Sequence, residues 1–155
     1  MRAGIGYDIH AFEEGRKLFL GGVEIENDLG LGGHSDADVL IHSIMDALLG
    51  AAGLDDIGIH FPNNDKKYRN ISSLLLLCEV KRKIEREGFK IINIDSVVIL
   101  EAPKIAPYIK TMKKKIAKAL EIEENRINIK ATTSEGMGFC GRNEGAAAQS
   151  IALLQ

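Results

Sequence analysis

Hydrophobic and polar positions change period several times along the chain, and each change marks an element. Residues 2–10 read as a strand that ends at Asp8-Ile9-His10. Leu18–Leu20 and Val23–Ile25 flank Gly21-Gly22, the pattern of a hairpin. Gly30-Leu31-Gly32-Gly33-His34 reads as a flexible loop, after which Ser35 or Asp36 can cap a helix running to Ala52 and stopped by Gly53. Asp55–Asp65 is irregular. Ser72 or Ser73 then caps a second helix that ends at Gly88, with Leu74–Leu77 buried and a charged stripe from Lys81 to Glu87 facing water. Phe89–Leu100 is a long Ile/Val-rich strand, ended by Pro103. Pro107 opens a third helix to Leu120, with Lys113-Lys114-Lys115 exposed on it. Ile127–Thr132 alternates as a strand, Thr133–Gly145 is a Gly-rich loop, and the periodicity of Ala146–Leu154 suits helix and strand equally. The pattern is α/β or α+β, a sheet with helices on it.

Composition narrows this picture. A length of 155 residues fits one domain, 1–155, able to hold a core without disulfides. With 45% hydrophobic residues, 5% aromatics and no Trp, that core is mainly aliphatic. No apolar run is long and uncharged enough to span a membrane, and the N-terminus lacks the apolar core of a signal peptide. Cys78 and Cys140 lie far apart and form no CxxC, which suits a reduced, cytoplasmic protein. The net charge of −2 argues against a nucleic-acid binder. Its distribution is uneven: residues 1–60 hold three Lys/Arg and eleven Asp/Glu, a net −8, and the remainder carries +6. Such a split suits a site where cations meet phosphates, and equally an accident of solvated helix faces.

All four histidines fall between positions 10 and 60. Asp8 and His10, two apart on a strand, share a face. Asp38, His42 and Asp46 form a row on an otherwise apolar helix, at i, i+4 and i+8. Two His and one carboxylate can bind Zn²⁺ with an open position, and Asp38 or Asp46 could orient the His42 ring. The residues alone leave open a hydrogen-bonded core histidine beside a solvated Asp. His34-Ser35 precedes a helix, where an anion can sit. Glu135, in a hydroxyl-rich strand end, could hold a second cation between phosphates. Lys104 is a fixed positive charge in a loop.

Taken in order, Gly6-Tyr7-Asp8-Ile9-His10-Ala11-Phe12, His34-Ser35-Asp36-Ala37-Asp38 with His42, and Asp46-Ala47-Leu48-Leu49-Gly50-Ala51-Ala52 form one set of motifs. Asp56-Ile57-Gly58 with Phe61-Pro62, Ala102-Pro103-Lys104, Thr132-Thr133-Ser134-Glu135, and Gly138-Phe139 with Gly141-Arg142 continue it. The set resembles the 2-C-methyl-D-erythritol 2,4-cyclodiphosphate synthase family of the non-mevalonate isoprenoid pathway, over nearly the whole chain. The resemblance implies an α+β fold, a mixed sheet packed by helices on one face, with Ala146–Leu154 as a strand. It implies a homotrimer with sites shared between neighbouring subunits.

It further implies one Zn²⁺ per subunit on Asp8, His10 and His42, and Mg²⁺ or Mn²⁺ met by Glu135. His34 and Thr133 would steady the transition state. The diphosphocytidyl substrate would lie along Ser35, Asp56, Ile57, Gly58, Phe61, Pro62, Asn63 and Asp65 on one side. Leu100, Lys104, Ile105, Ala106, Ala131, Thr132, Ser134, Phe139 and Arg142 would serve the other; in a binder, Phe139 and Arg142 would line the trimer axis, where an isoprenoid diphosphate could bind. Asn63 stands where family members often carry an acidic residue, and Leu100 where they carry a small one. A Zn-dependent phosphohydrolase and a non-catalytic metal or isoprenoid binder remain the other readings.

Overall fold

The computed structural model describes all residues, Met1–Gln155. The first strand, β1 (Arg2–Glu14), runs past His10, and the Gly21-Gly22 hairpin forms from β2 (Leu18–Leu20) and β3 (Val23–Ile25). The glycine loop is partly strand: β4 (Leu29–Leu31) pairs Phe12 with Leu31 at the end of β1. Helix α1 spans Val39–Ala52 and is stopped by Gly53 in the left-handed region. Its cap is Asp38, not Ser35 or Asp36. The Asp38 carboxylate accepts the N–H of Ile41, satisfying one of the four free donors of the first turn.

Asp55–Asp65, expected to be irregular, contains the single-turn helix α2 (Ile57–His60), whose donors Gly58 and Ile59 bond Asp56. Helix α3 (Ser73–Arg86) begins where expected, but its cap residue Ser72 makes no side-chain bond. Strand β5 (Ile91–Ile99) follows, and Pro107 lies in a 3-10 turn that leads into α4 (Ile109–Leu120). After β6 (Ile127–Thr132), the Gly-rich loop contains the short helix α5 (Gly138–Gly141). Gly145–Leu154 is β7, a strand.

Five strands form one sheet in the order β4-β1-β7-β5-β6, antiparallel except for the β5–β6 pair. Alternation sorts its two faces. Gly4, Gly6, Asp8 and His10 of β1 face the helices, as do Ala146, Ala148, Ser150 and Ala152 of β7. Small residues there let α1 lie against the sheet. A Cβ on Gly6 would fall 1.9 Å from the Ser43 carbonyl oxygen, and one on Gly4 would fall 2.1 Å from that of Ala47. Helix α1 is apolar almost all round because its other side is covered by α3. One chain of hydroxyls crosses this layer. Ser43 donates to the Leu40 carbonyl at 2.9 Å, and Ser150 lies 2.7 Å from both Ser43 and Ser96. No buried side-chain polar atom lacks a partner.

The opposite face is uncovered. Ile5 is 63% exposed, Tyr7 52%, Ile9 44% and Ile151 52%.

Candidate metal centre

The close approach of α1 to β1 sets the centre. Two residues beyond Gly6 lies Asp8, and one residue before Ser43 lies His42, so the seam that brings backbone to backbone brings these side chains together. Asp8 Oδ2 lies 2.9 Å from His10 Nε2 and 3.0 Å from His42 Nδ1, and the two rings approach to 3.1 Å. The three ligand atoms all fall within 4.8 Å of one another.

Burial raises the Asp8 carboxyl, but hydrogen bonds from His10 and His42 and their charges outweigh it and hold the group at about 2. Burial lowers His10, and the Asp8 hydrogen bond and charge outweigh that to raise it. An anionic carboxylate facing two imidazole nitrogens is a donor set that divalent, N/O-preferring ions favour. The remaining ring nitrogens are occupied: His10 Nδ1 bonds the Gly32 carbonyl at 2.5 Å, and His42 Nε2 meets Ser73 Oγ at 3.0 Å and Ser35 Oγ at 3.2 Å.

Neither Asp38 nor Asp46 orients His42. Asp38 is fully buried and accepts the N–H groups of Gly21, Gly22 and Ile41, tying the hairpin to the start of α1. Asp46 accepts the Ile57 N–H at 2.9 Å and thereby fixes α2 beside α1. The two carboxylates of the helix row are thus satisfied, but by backbone. Ser73, read only as a cap candidate in the sequence, reaches the ring, and Asp36 holds Ser73 from behind. Their signal was hidden because Ser73 lies 31 positions from His42.

A cavity of about 200 Å³ opens on the triad and is also lined by His34, Ser35, Ile57, Gly58, Phe61 and Asn63. His34 donates from Nε2 to the Asp65 carbonyl at 3.2 Å, so Asp65 enters through its backbone. Phe61 and Tyr68 meet edge to face, with centroids 5.4 Å apart. Asp56 and Pro62 flank this lining, and the Asp56 carboxylate is engaged as the cap of α2.

Leu100, Lys104, Ile105, Ala106, Ala131, Thr132 and Thr133 line a different cavity of about 230 Å³. It shares no residue with the first. The register shows why. Asp8 pairs with Ala148, Ala148 with Val98, and Val98 with Ala131, so three strand steps, ~14 Å, separate the two ends of one row. Glu135 stands on the second side, exposed, with φ +54 and its Oε1 accepting from Thr133 Oγ1 at 2.9 Å. Glu101, which the sequence reading missed, organises this turn: its Oε1 accepts from Ser134 N, Ser134 Oγ and Gly136 N. Phe139 is half-buried, and Arg142 forms a two-point ion pair with Glu144 at 2.8 and 3.1 Å.

Comparison with known proteins places these features in a lineage. A protein of Chlorobium phaeobacteroides named 2-C-methyl-D-erythritol 2,4-cyclodiphosphate synthase is 57% identical over 155 residues, covering 100% of this chain and 98% of its own length. The bifunctional IspDF of Campylobacter jejuni superposes with a TM-score of 0.95 at 47% identity; the match covers 99% of this chain and 42% of that longer one. A 2C-methyl-D-erythritol-2,4-cyclodiphosphate synthase in its CDP-bound form superposes at 0.91 with 36% identity, covering 99% of this chain and 100% of the other. Residues 1–155 match the YgbB family throughout, both cavities included, and this chain is a member of that family.

Proposed function

We propose that this chain converts 4-diphosphocytidyl-2-C-methyl-D-erythritol 2-phosphate to 2-C-methyl-D-erythritol 2,4-cyclodiphosphate and CMP, as a phosphorus–oxygen lyase of isoprenoid biosynthesis. The observation that carries the reading is the Asp8–His10–His42 cluster opening on a cavity flanked by His34 and α2. The full-length relatives named for this activity support it. In the reaction an oxygen of the 2-phosphate attacks the distal phosphorus of the diphosphate. A P–O bond closes the ring as the bond to CMP breaks. The attacking phosphate is already anionic at neutral pH, so no side chain needs to remove a proton. The work is to hold two anions together and in line.

Asp8, His10 and His42 would hold Zn²⁺, and Glu135 would meet Mg²⁺ or Mn²⁺. Bound there, these ions supply charge neutralisation and polarisation of phosphoryl oxygens. The chain's own groups do the rest. His34, whose Nε2 is directed to the Asp65 carbonyl, and the Thr133 hydroxyl steady developing charge. Asp56 and Gly58 hold the methylerythritol hydroxyls. Lys104 and the backbone of Ala131–Thr133 hold the CMP portion, with Leu100, Ile105 and Ala106 walling its base.

These two groups serve one substrate when chains assemble as a homotrimer, the metal half of one subunit facing the Lys104 half of the next. The uncovered face carrying Ile5, Tyr7, Ile9 and Ile151 supports that assembly, since a lone chain rarely exposes such a patch. Phe139 and Arg142 would then line the axis, where an isoprenoid diphosphate would sit. A cytoplasmic setting follows from this metabolic role. No helix is long and apolar enough to cross a membrane.

The test is incubation with the diphosphocytidyl substrate and both metals, followed by phosphorus NMR. Paired resonances of a cyclic diphosphate with equimolar CMP are expected. A linear phosphate product would sink the reading in favour of hydrolysis.

A further inference from the structure

Each histidine of the triad turns one ring nitrogen toward the cluster and one away, and the outward nitrogens are held by different means. His10 Nδ1 faces the Gly32 carbonyl, which can only accept. His42 Nε2 faces a serine hydroxyl, which can accept or donate. A serine alone therefore leaves the proton of His42 undecided between Nε2 and Nδ1. If the hydroxyl donated, Nε2 would be the acceptor and the proton would sit on Nδ1, the nitrogen nearest Asp8 and His10.

Asp36 removes the ambiguity. Ser73 Oγ lies 2.5 Å from Asp36 Oδ1, and a carboxylate only accepts. The hydroxyl proton is committed to Asp36, so Ser73 can only accept from the ring, and as the shorter contact, 3.0 Å against 3.2 Å for Ser35, it sets Nε2 as the donor. In the neutral ring Nδ1 then keeps its lone pair directed at the cluster; only the cationic ring donates from Nδ1 to Asp8 as well. The carboxylate is pinned in turn: Oδ2 accepts the Ser73 N–H at 2.9 Å and Oδ1 the Asp38 N–H at 3.3 Å. It thereby satisfies the first donor of α3, which Ser72 leaves open. Ser73 is 0% exposed and His42 8%, which shelters the relay from competing solvent. Ser35 Oγ, which also accepts the Ala37 N–H, adds a second, longer oxygen contact to Nε2.

We propose that Asp36 and Ser73 are positioning residues for the metal: together they fix the tautomer in which His42 presents Nδ1 as a ligand. This rests on the reading that the triad holds a divalent ion and extends it to two residues outside the triad.

The experiment measures Zn²⁺ and Co²⁺ affinity of the full chain by competition with a chromophoric chelator at one pH. The Co²⁺ absorption spectrum reports the ligand field. Ser73→Ala and Asp36→Asn should each weaken metal binding about 10–100-fold, the usual loss for an outer partner of a ligating histidine. Asp36→Asn presents an amide N–H to Ser73 and so reverses the hydroxyl while preserving shape. The double variant should lose no more than the weaker-binding single one, because both act through one hydrogen bond. Ser150→Ala, which deletes a buried hydroxyl remote from His42, should stay within about two-fold of the parent.

Parent-like affinity and spectrum in Ser73→Ala would overturn the proposal. Should that variant not fold, Asp36→Asn decides by the same criterion. An equal loss in Ser150→Ala would also overturn it, by tracing the effect to loosened packing. A parent chain that binds neither ion would overturn the metal reading itself, and this one with it.

Discussion

At the β1 end of the sheet Asp8 and the three histidines of the cavity already have fixed partners. Asp8, His10 and His42 hold one another, Gly32 and Ser73 hold the outer ring nitrogens, and the Asp65 carbonyl holds His34. At the β6 end Lys104, Thr132 and Thr133 are exposed, and the Thr133 hydroxyl bonds only within its own turn, to Glu135. The first region is finished within one chain. The second is an open surface, which the proposed trimer would complete into a cleft. A small ion demands fixed geometry and rewards a rigid scaffold, whereas a nucleotide is held by a broad surface that a second chain can complete.

The sharpest way to break this contrast is to remove a ligand. His42→Ala should lower kcat by more than ~100-fold, since deleting a ligand exceeds the loss from deleting its outer partner. Near-parental turnover with a fully loaded second cation would refute the metal half. Next, Gly6→Ala should cost about 3 kcal/mol, because the new Cβ meets the Ser43 backbone 1.9 Å away and α1 must lift from β1. Metal affinity should fall with melting temperature; a stable, metal-tight variant would show that the seam does not set the triad.

Lys104→Ala tests the other end. It should raise KM about 10-fold or more, the size of a lost charge-assisted bond, while Zn²⁺ affinity stays unchanged. Mixing His42→Ala and Lys104→Ala chains under exchange should restore about a quarter of the sites, if each site draws its halves from two neighbours in a closed ring. No rescue between folded, exchanging variants would rule out a shared site. Ile151→Lys should weaken association about 100-fold by light scattering, because it buries an unpaired charge in the proposed interface. The smallest effect belongs to Lys130→Ala, which removes an exposed ion pair with Asp95 and should shift stability by under ~1 kcal/mol.

The contrast also explains what the sequence made legible. Asp8 and His10 could be read from a period of two, and His42 from its place on an apolar helix, because short-range periodicity fixes which side chains share a face. The hairpin at Gly21-Gly22 and the stop at Gly53 follow local turn chemistry. Long-range partners have no such period. Asp38 looked like a neighbour of His42 and is instead consumed by Gly21, Gly22 and Ile41. Ser73, Asp36 and Glu101 act through contacts more than 30 positions apart that no spacing announces. The strand character of β7 was ambiguous for a related reason: its helix-facing row is nearly all alanine, which suits either element.

That row raises a question of register. Sliding β7 by two residues keeps the same face toward α1, but alanine then replaces alanine at one position alone, while Leu154 or Glu144 moves onto another alanine position. Ser150 adds a polar cost to that misfit. Displaced by two, it leaves Ala148 or Ala152 opposite Ser43 and Ser96 and strands hydroxyls in a dry layer, at about 1–3 kcal/mol each. Because Ser43 already gives its proton to Leu40, it can only receive from Ser150, which must in turn receive from Ser96. This one-way chain acts as a second, polar check on the register of β7, beside the fit of its small side chains.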